Sequence, residues 1–389
     1  MARSLRSAYV DPRENAIFYI RCRTKKSLIL PPAQPGSDPD THRVRYIEDL
    51  IRQYAGLFGI SVHAHAVMRR EFRIVLQSRP EVVLMLSDYE IARRWLSICP
   101  TLSRARTPSP EPAEEEIDLL CGQPLRIADL RDRLSSISWW MRLLQQRVAQ
   151  LCNREDKTEG RVWNGRFRAV LLLDGTAHLA ALVNVDLAAV RVSTGKPVSV
   201  SEFTSAVYRR QEQLAATDRG TGEKTMENSI AADGTAAFSS ELTSDVTAQV
   251  RDGQHLAPIV SGDAYTAFAD RLAVNGHQHR SSEDRVVNSD GDDYRKLLQL
   301  THEGFPGAGP SKLPERCSLL SSLKIHPNIW IALVGYFDDL FSHVAGKLES
   351  MNAHVPKTGD RRAYVRPAAR AVLGNCNGGE TAQRVPQNP

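Results

Sequence analysis

The sequence predicts an α+β fold: a ferredoxin-like βαββαβ core with a mainly antiparallel sheet and one extra long helix, then a disordered linker and a small helical appendage. Three observations predict it. Two β-type runs, Ser61 to Met68 and Glu71 to Gln77, are separated only by Arg69-Arg70, the short spacing of a hairpin rather than of a parallel crossover. Strand-like runs alternate with segments whose apolar residues step by three and four. The chain has 389 residues of which 42% are hydrophobic, enough for a sizeable core and for about two domains.

The first expected strand is Ala16 to Cys22, whose Ile17, Phe18, Tyr19 and Ile20 form a continuous apolar run, the mark of a strand buried on both faces. Pro31, Pro32, Pro35 and Gly36 then interrupt the chain before a helix carrying Val44, Ile47, Ile51, Tyr54 and Phe58, with Gly59 as its stop. The hairpin follows. Ser87 with Glu90 three positions on makes a capping-box signature for a helix whose stripe is Ile91, Trp95 and Ile98. Pro108, Pro110, Pro112 and the acidic Glu114, Glu115 and Glu116 read residues 100–118 as a solvated linker or insertion.

Pro124 opens the most regular segment of the chain, in which Ile127, Leu130, Leu134, Ile137, Met141, Leu144, Val148 and Leu151 predict one long helix with a single apolar seam. A strand from Ala169 to Leu173 and a helix capped by Asp174, ending near Arg191, complete the region 10–195. Residues 217–253 have few large apolar side chains and no periodicity, so they read as disordered. A separate helical region is expected over 285–375, with Tyr294 to Leu300 and a helical stretch through Trp330, Leu333, Phe337, Leu340, Val344 and Leu348.

Fifty Lys+Arg against 45 Asp+Glu leave a formal charge of +5, a weak sign of nucleic acid unless the cations cluster. They do cluster, interleaved with aromatics. Trp139, Trp140, Arg142 and Arg147 are followed by Arg154, Lys157, Arg161, Trp163, Arg166, Phe167 and Arg168, a set suited to neutralising phosphates and stacking on unpaired bases. The plain alternative is a solvated helix face with its tryptophans in the core. His63-Ala64-His65 would set two imidazoles on one strand face, a two-ligand metal candidate weighed against half-buried, hydrogen-bonded histidines; His277-Gln278-His279 repeats the spacing. No GxSxG, GxxxxGK[ST], GxGxxG or HExxH occurs, which removes the common hydrolase, NTPase, dinucleotide and zinc-protease readings. Six scattered cysteines without a CxxC pair, no signal-type N-terminus and no apolar run near the roughly 20 residues of a membrane span point to a reducing, cytoplasmic setting with no membrane partner.

Three stretches, GISVHAHAVMRREFRIVL (Gly59 to Leu76), LSSISWWMRLLQQRVAQLCNREDKTEGRVWNGRFRAVLLLD (Leu134 to Asp174) and LVNVDLAAVRV (Leu182 to Val192), resemble the single-tyrosine HUH transposases, in particular the REP-associated type and its longer bacterial relatives. The resemblance covers about residues 10 to 195. It implies DNA transposition and recombination of a mobile element, structured single-stranded or hairpin DNA as partner, nucleoid association, and a His-hydrophobic-His metal motif with a tyrosine nucleophile on the long helix. At the motif positions this chain has Glu71-Phe72-Arg73, and the helix segment Gln145 to Asn153 holds no tyrosine; Tyr46, Tyr54, Tyr89 and Tyr208 lie elsewhere.

A guanidinium cannot lose its proton to ligate a metal, and at ~4 Å with an effective dielectric near 20 each unit of like charge costs about 4 kcal/mol. The expectation is therefore a DNA-binding member that has lost ordinary catalysis and needs no cofactor, with Glu71 and Arg73 pairing instead. Two alternatives stay open in the sequence. One is an active nuclease using Mg or Mn at a relocated site built on His63 and His65; the other is an interaction protein that does not bind DNA. A homodimer is compatible with either.

Overall fold

The computed structural model describes residues 14–25, 42–68, 70–100, 111–188, 291–304, 318–323, 325–358 and 365–374. Among the described residues five strands form one sheet, and they are β1 (Ala16–Arg23), β2 (Ile60–Val67), β3 (Glu71–Ser78), β4 (Arg168–Leu172) and β5 (Val344–Ala345). Their order is β2-β3-β1-β4-β5, with every neighbouring pair antiparallel except β4 with β5. The continuous apolar run of β1 is explained by this placement, since β1 is central and Ile17, Tyr19 and Ile20 are fully buried.

Helices cover both faces. α1 (His42–Leu57) lies on one face beside a pair of helices, α5 (Pro124–Leu134) and α6 (Ile137–Glu155), with the short α2 (Pro80–Leu84), α3 (Asp88–Ile98) and α4 (Glu114–Cys121) packed alongside. The opposite face carries α7 (Gly175–Asp186). Beyond α7 come α8 (Gly291–Glu303), α9 (Ser318–Ser322), α10 (Pro327–Gly335), α11 (Phe337–Leu340), α12 (Leu348–Thr358) and α13 (Pro367–Gly374). Every residue of α7 is buried, because it lies between the sheet and α10 and α11.

Local chemistry accounts for most boundaries. Ser87 Oγ accepts from the Glu90 amide at 3.2 Å, which is one half of the capping box; the Glu90 carboxylate turns to Arg93 instead, at 2.8 Å. Asp174 Oδ1 accepts from the Ala177 amide at 2.9 Å and starts α7. Gly59 does more than stop a helix. A Cβ there would lie 2.3 Å from Val83 Cγ2 and 2.9 Å from the Arg79 carbonyl oxygen, so only glycine allows α2 to close on the turn before β2.

Four expectations change. The single helix expected from Pro124 is broken at Ser135-Ser136, where Ser136 adopts an extended backbone and Ser135 Oγ turns back to the Arg131 carbonyl oxygen at 3.0 Å. The seam nevertheless survives the break, and all eight of its residues are buried. Residues 114–118 of the expected linker belong to α4, since Ile117 is apolar enough to bury against α3 and three glutamates in the first turn complement the helix dipole. The helix started by Asp174 ends at Asp186, ahead of Arg191. The separate C-terminal appendage is part of the same hydrophobic core: Val344 and Ala345 pair with β4, and Trp330 and Phe337 are fully buried in that core. The linker expected over 217–253 lies outside the described residues.

Candidate nucleic-acid interface and the charged cluster beside it

Strand register assembles a charged cluster that linear spacing only half announces. Arg21 on β1 is directly opposite both Arg73 on β3 and Arg168 on β4, so three guanidinium-bearing residues stand in a row across three strands. Like charges opposite one another repel, so the row requires anions. Glu71 supplies one: its carboxylate lies 2.7 Å from Arg73 Nη2 and 2.6 Å from Arg21 Nη2, and it also accepts from the exposed Arg23 at 3.2 Å. Asp338, from the far end of the chain, supplies the other. Its Oδ2 is 2.8 Å from Arg21 Nη1, and its Oδ1 is 3.3 Å from Arg168 Nη1. Tyr19 donates toward Asn184 Oδ1 and Asp338 Oδ2, both at 3.3 Å, and Arg73 donates to Asn184 Oδ1 at 2.8 Å.

Burial alone would raise the Glu71 pKa, but Arg73 and Arg21 outweigh it and hold the carboxyl below its ordinary value. Burial pushes the Tyr19 hydroxyl well above the ordinary phenol range, so it keeps its proton and donates it to Asn184 and Asp338. The expected pairing of Glu71 with Arg73 is thus present, extended by Tyr19, Arg21, Asn184 and Asp338. Those four carry no signal in the linear sequence, because they converge only through strand pairing and the packing of α7 and α11.

These residues do not suit a divalent cation. Each carboxylate is already shared among guanidinium groups, and no group of three or more His, Cys, Asp or Glu able to hold a metal exists among the described residues. His63 and His65 do not form the shared face expected of them. A β-bulge intervenes, since Val62 pairs with Leu76 while Ala64 pairs with Val75. His63 consequently faces α7, with its ring 4.9 Å from the His178 ring and Nε2 2.9 Å from Gln77 Oε1. His65 faces α1, 3.6 Å from the Glu48 carboxylate. Two imidazoles on opposite sides of a sheet cannot reach one ion, which removes the relocated metal site.

No family model, curated protein or solved structure matches this chain.

The basic and aromatic set divides sharply. Trp140 is fully buried with its ring edge on Tyr54, and Trp163 is buried against Phe72 while its indole donates to the Gln145 carbonyl oxygen at 2.8 Å. Trp139 packs edge-on against Trp95, with the Arg133 and Arg142 guanidinium carbons 4.2 and 4.8 Å from its ring centroid. None of the three tryptophans is therefore a bare platform for a base, and the expected stacking role is withdrawn. Arg147 donates to the Ile98 carbonyl oxygen and lies over the Tyr54 ring, and Arg168 donates to the backbone oxygens of Asp338 and Phe341; both are structural ties.

What remains is a set of exposed cations, part of which forms a rim where the end of β1, the hairpin turn and the loop before β4 meet. Arg142, Arg154, Lys157, Arg161 and Arg166 are exposed. Backbone bonds add three cations that the sequence did not connect to them. The Thr24 amide donates to the Arg70 carbonyl oxygen at 2.8 Å, the Lys25 amide to that of Val162 at 3.0 Å, and the Asn164 amide to that of Arg23 at 2.8 Å. Exposed Arg23, Lys25 and Arg70 thereby join Arg161 and Arg166. Of the nearby acids, Glu155 and Asp156 are drawn off by Arg43, and Glu155 also by His42 at 2.7 Å, whereas exposed Glu159 and the Glu71 carboxylate on Arg23 offset part of this charge.

Proposed function

We propose that this chain is a nucleic-acid-binding protein whose partner is structured single-stranded DNA, a hairpin with a flanking single strand. One observation carries the reading: Arg23, Lys25, Arg70, Arg161 and Arg166 are brought together, exposed, by the backbone bonds between the end of β1, the hairpin turn and the loop before β4. By descent the chain is a single-tyrosine HUH transposase of the REP-associated type, acting in the nucleoid and retaining the grip on DNA without the chemistry. The order β2-β3-β1-β4, antiparallel throughout, supports a ferredoxin-like core to which β5 is an addition. Glu71 and Arg73 at the motif positions, and the absence of a tyrosine from α6, support the loss of cleavage.

Titration with hairpin DNA across a salt series tests the reading. Log affinity should fall with log salt by about 0.7 per single-strand phosphate contacted, and the double variant Arg161→Ala, Arg166→Ala should flatten that slope by up to about 1.4. No covalent protein-DNA adduct should form with Mg²⁺ or Mn²⁺. Undetectable or salt-insensitive binding refutes the proposal, and a metal-dependent adduct would restore the catalytic reading.

A further inference from the structure

The row Arg73, Arg21 and Arg168 is larger than the carboxylate that it surrounds. Adjacent strands space these residues about 5 Å apart, and all three side chains reach toward Asp338. A charge-assisted N–H to O bond is best at about 2.7 to 2.9 Å. The Asp338 carboxylate reaches that distance with Arg21 alone, at 2.8 Å; Arg168 Nη1 and the Tyr19 hydroxyl are at 3.3 Å and Arg73 Nη2 is at 3.9 Å, while Arg168 Nη2 takes the Asp338 backbone oxygen at 2.7 Å. Three guanidinium groups face only the Asp338 and Glu71 carboxylates, although Arg73 and Tyr19 also reach Asn184 and Arg168 also reaches backbone oxygens, so the row keeps a positive excess. A phosphate dianion in place of the Asp338 carboxylate would balance that excess. The cluster is partly open to solvent, with Arg21, Arg73 and Asp338 side chains 14% exposed and Arg168 23%. Arg23, the first cation of the rim, is two residues along the same strand face from Arg21, about 7 Å away.

We propose that Arg21, Arg73, Arg168 and the Tyr19 hydroxyl form an oxyanion site for a phosphate group, and that Asp338 occupies it from within the same chain. The anion is either inorganic phosphate or a backbone phosphate of the nucleic acid held on the rim; the second source rests on the reading of the preceding section, whereas the site itself does not. Asp338 is then a self-supplied occupant that competes with the external anion, and binding a phosphate at this position requires α11 to withdraw its carboxylate.

The test uses the full chain carrying Asp338→Ser, which opens the space of the carboxylate, beside Asp338→Asn, which keeps the volume and removes the charge. Thermal unfolding is followed in inorganic phosphate and in chloride at matched ionic strength. Wild type should gain in phosphate only the general stabilisation that an excluded anion gives any fold, and the variants are read relative to that gain. Asp338→Ser should be destabilised in chloride and recover several degrees in phosphate, Asp338→Asn should recover less, and adding Arg73→Gln to Asp338→Ser should abolish the recovery. A Ser variant that folds in phosphate but not in chloride supports the site equally. A gain of Asp338→Ser in phosphate no larger than that of wild type, or failure to fold in either salt, overturns it, as does an Asn variant rescued as well as the Ser variant. In a second arm, Asp338→Ser should bind hairpin DNA at least tenfold more tightly than wild type with a steeper salt slope. Phosphate rescue with unchanged DNA affinity upholds the oxyanion site and overturns its use by nucleic acid.

Discussion

Arg168 shows how a side chain of one type can carry opposite roles a few residues apart. Arg166 is exposed on the rim, while Arg168, two positions on, is bound to Asp338 and to two backbone oxygens. Removing Arg168 strips the Asp338 carboxylate and the Asp338 and Phe341 backbone oxygens of a donor, and a partly buried acceptor left unpaired costs about 1 to 3 kcal/mol. Arg168→Ala should therefore lower the melting temperature, whereas Arg166→Ala should leave it within experimental error and weaken DNA binding. Glu71 adds a pH dependence. Its folded-state pKa is depressed, so its contribution is present above the ordinary carboxylate value of about 4.3 and is lost as pH falls through the lower folded-state value. The stability gap between wild type and Glu71→Gln should be wide at pH 7 and narrow below about pH 4; a gap independent of pH would refute this.

Among the elements, the pair α5 and α6 keeps one seam through a break. Leu144 is fully buried in it, so Leu144→Ala should cost about 2 to 5 kcal/mol in denaturant unfolding. Ile117 distinguishes a helix from a linker at α4. Its side chain is 1% exposed, so Ile117→Ala should also cost a few kcal/mol, whereas Glu114→Ala, on an exposed residue bonded to Tyr89, should change stability by less than about 0.5 kcal/mol. Small, equal effects at Ile117 and Glu114 would mean that α4 does not pack.

For the whole molecule, the C-terminal helices are a layer of the core and not an appendage. α7 is apolar nearly all round and is sandwiched, with Asn184 Nδ2 donating to the Val334 carbonyl oxygen at 2.8 Å and Asp186 accepting from the Tyr294 hydroxyl at 2.7 Å. A chain cut after residue 290 would bare the outer face of α7 and leave the arginine row without Asp338. It should bind a hydrophobic dye and lose its cooperative unfolding transition; a sharp transition matching the full chain would show that the first part folds alone.

The sequence by itself determined the local terms: the hairpin, the buried run of β1, the caps at Ser87 and Asp174, and the seam from Ile127 to Leu151, since each depends on periodicity or on hydrogen bonds between near neighbours. It also paired Glu71 with Arg73, two residues apart on one strand face. Only the tertiary structure decided the rest. A single inserted residue at the β2 bulge sent His63 and His65 to opposite faces, which strict alternation would forbid. Burial against Tyr54 of α1 took Trp140 out of the candidate interface. Strand register set Arg21 between Arg73 and Arg168, and chain closure brought Asp338 to them from more than 160 residues away in sequence. Such contacts depend on which faces meet once the core is packed, and spacing along a linear chain carries no term for that.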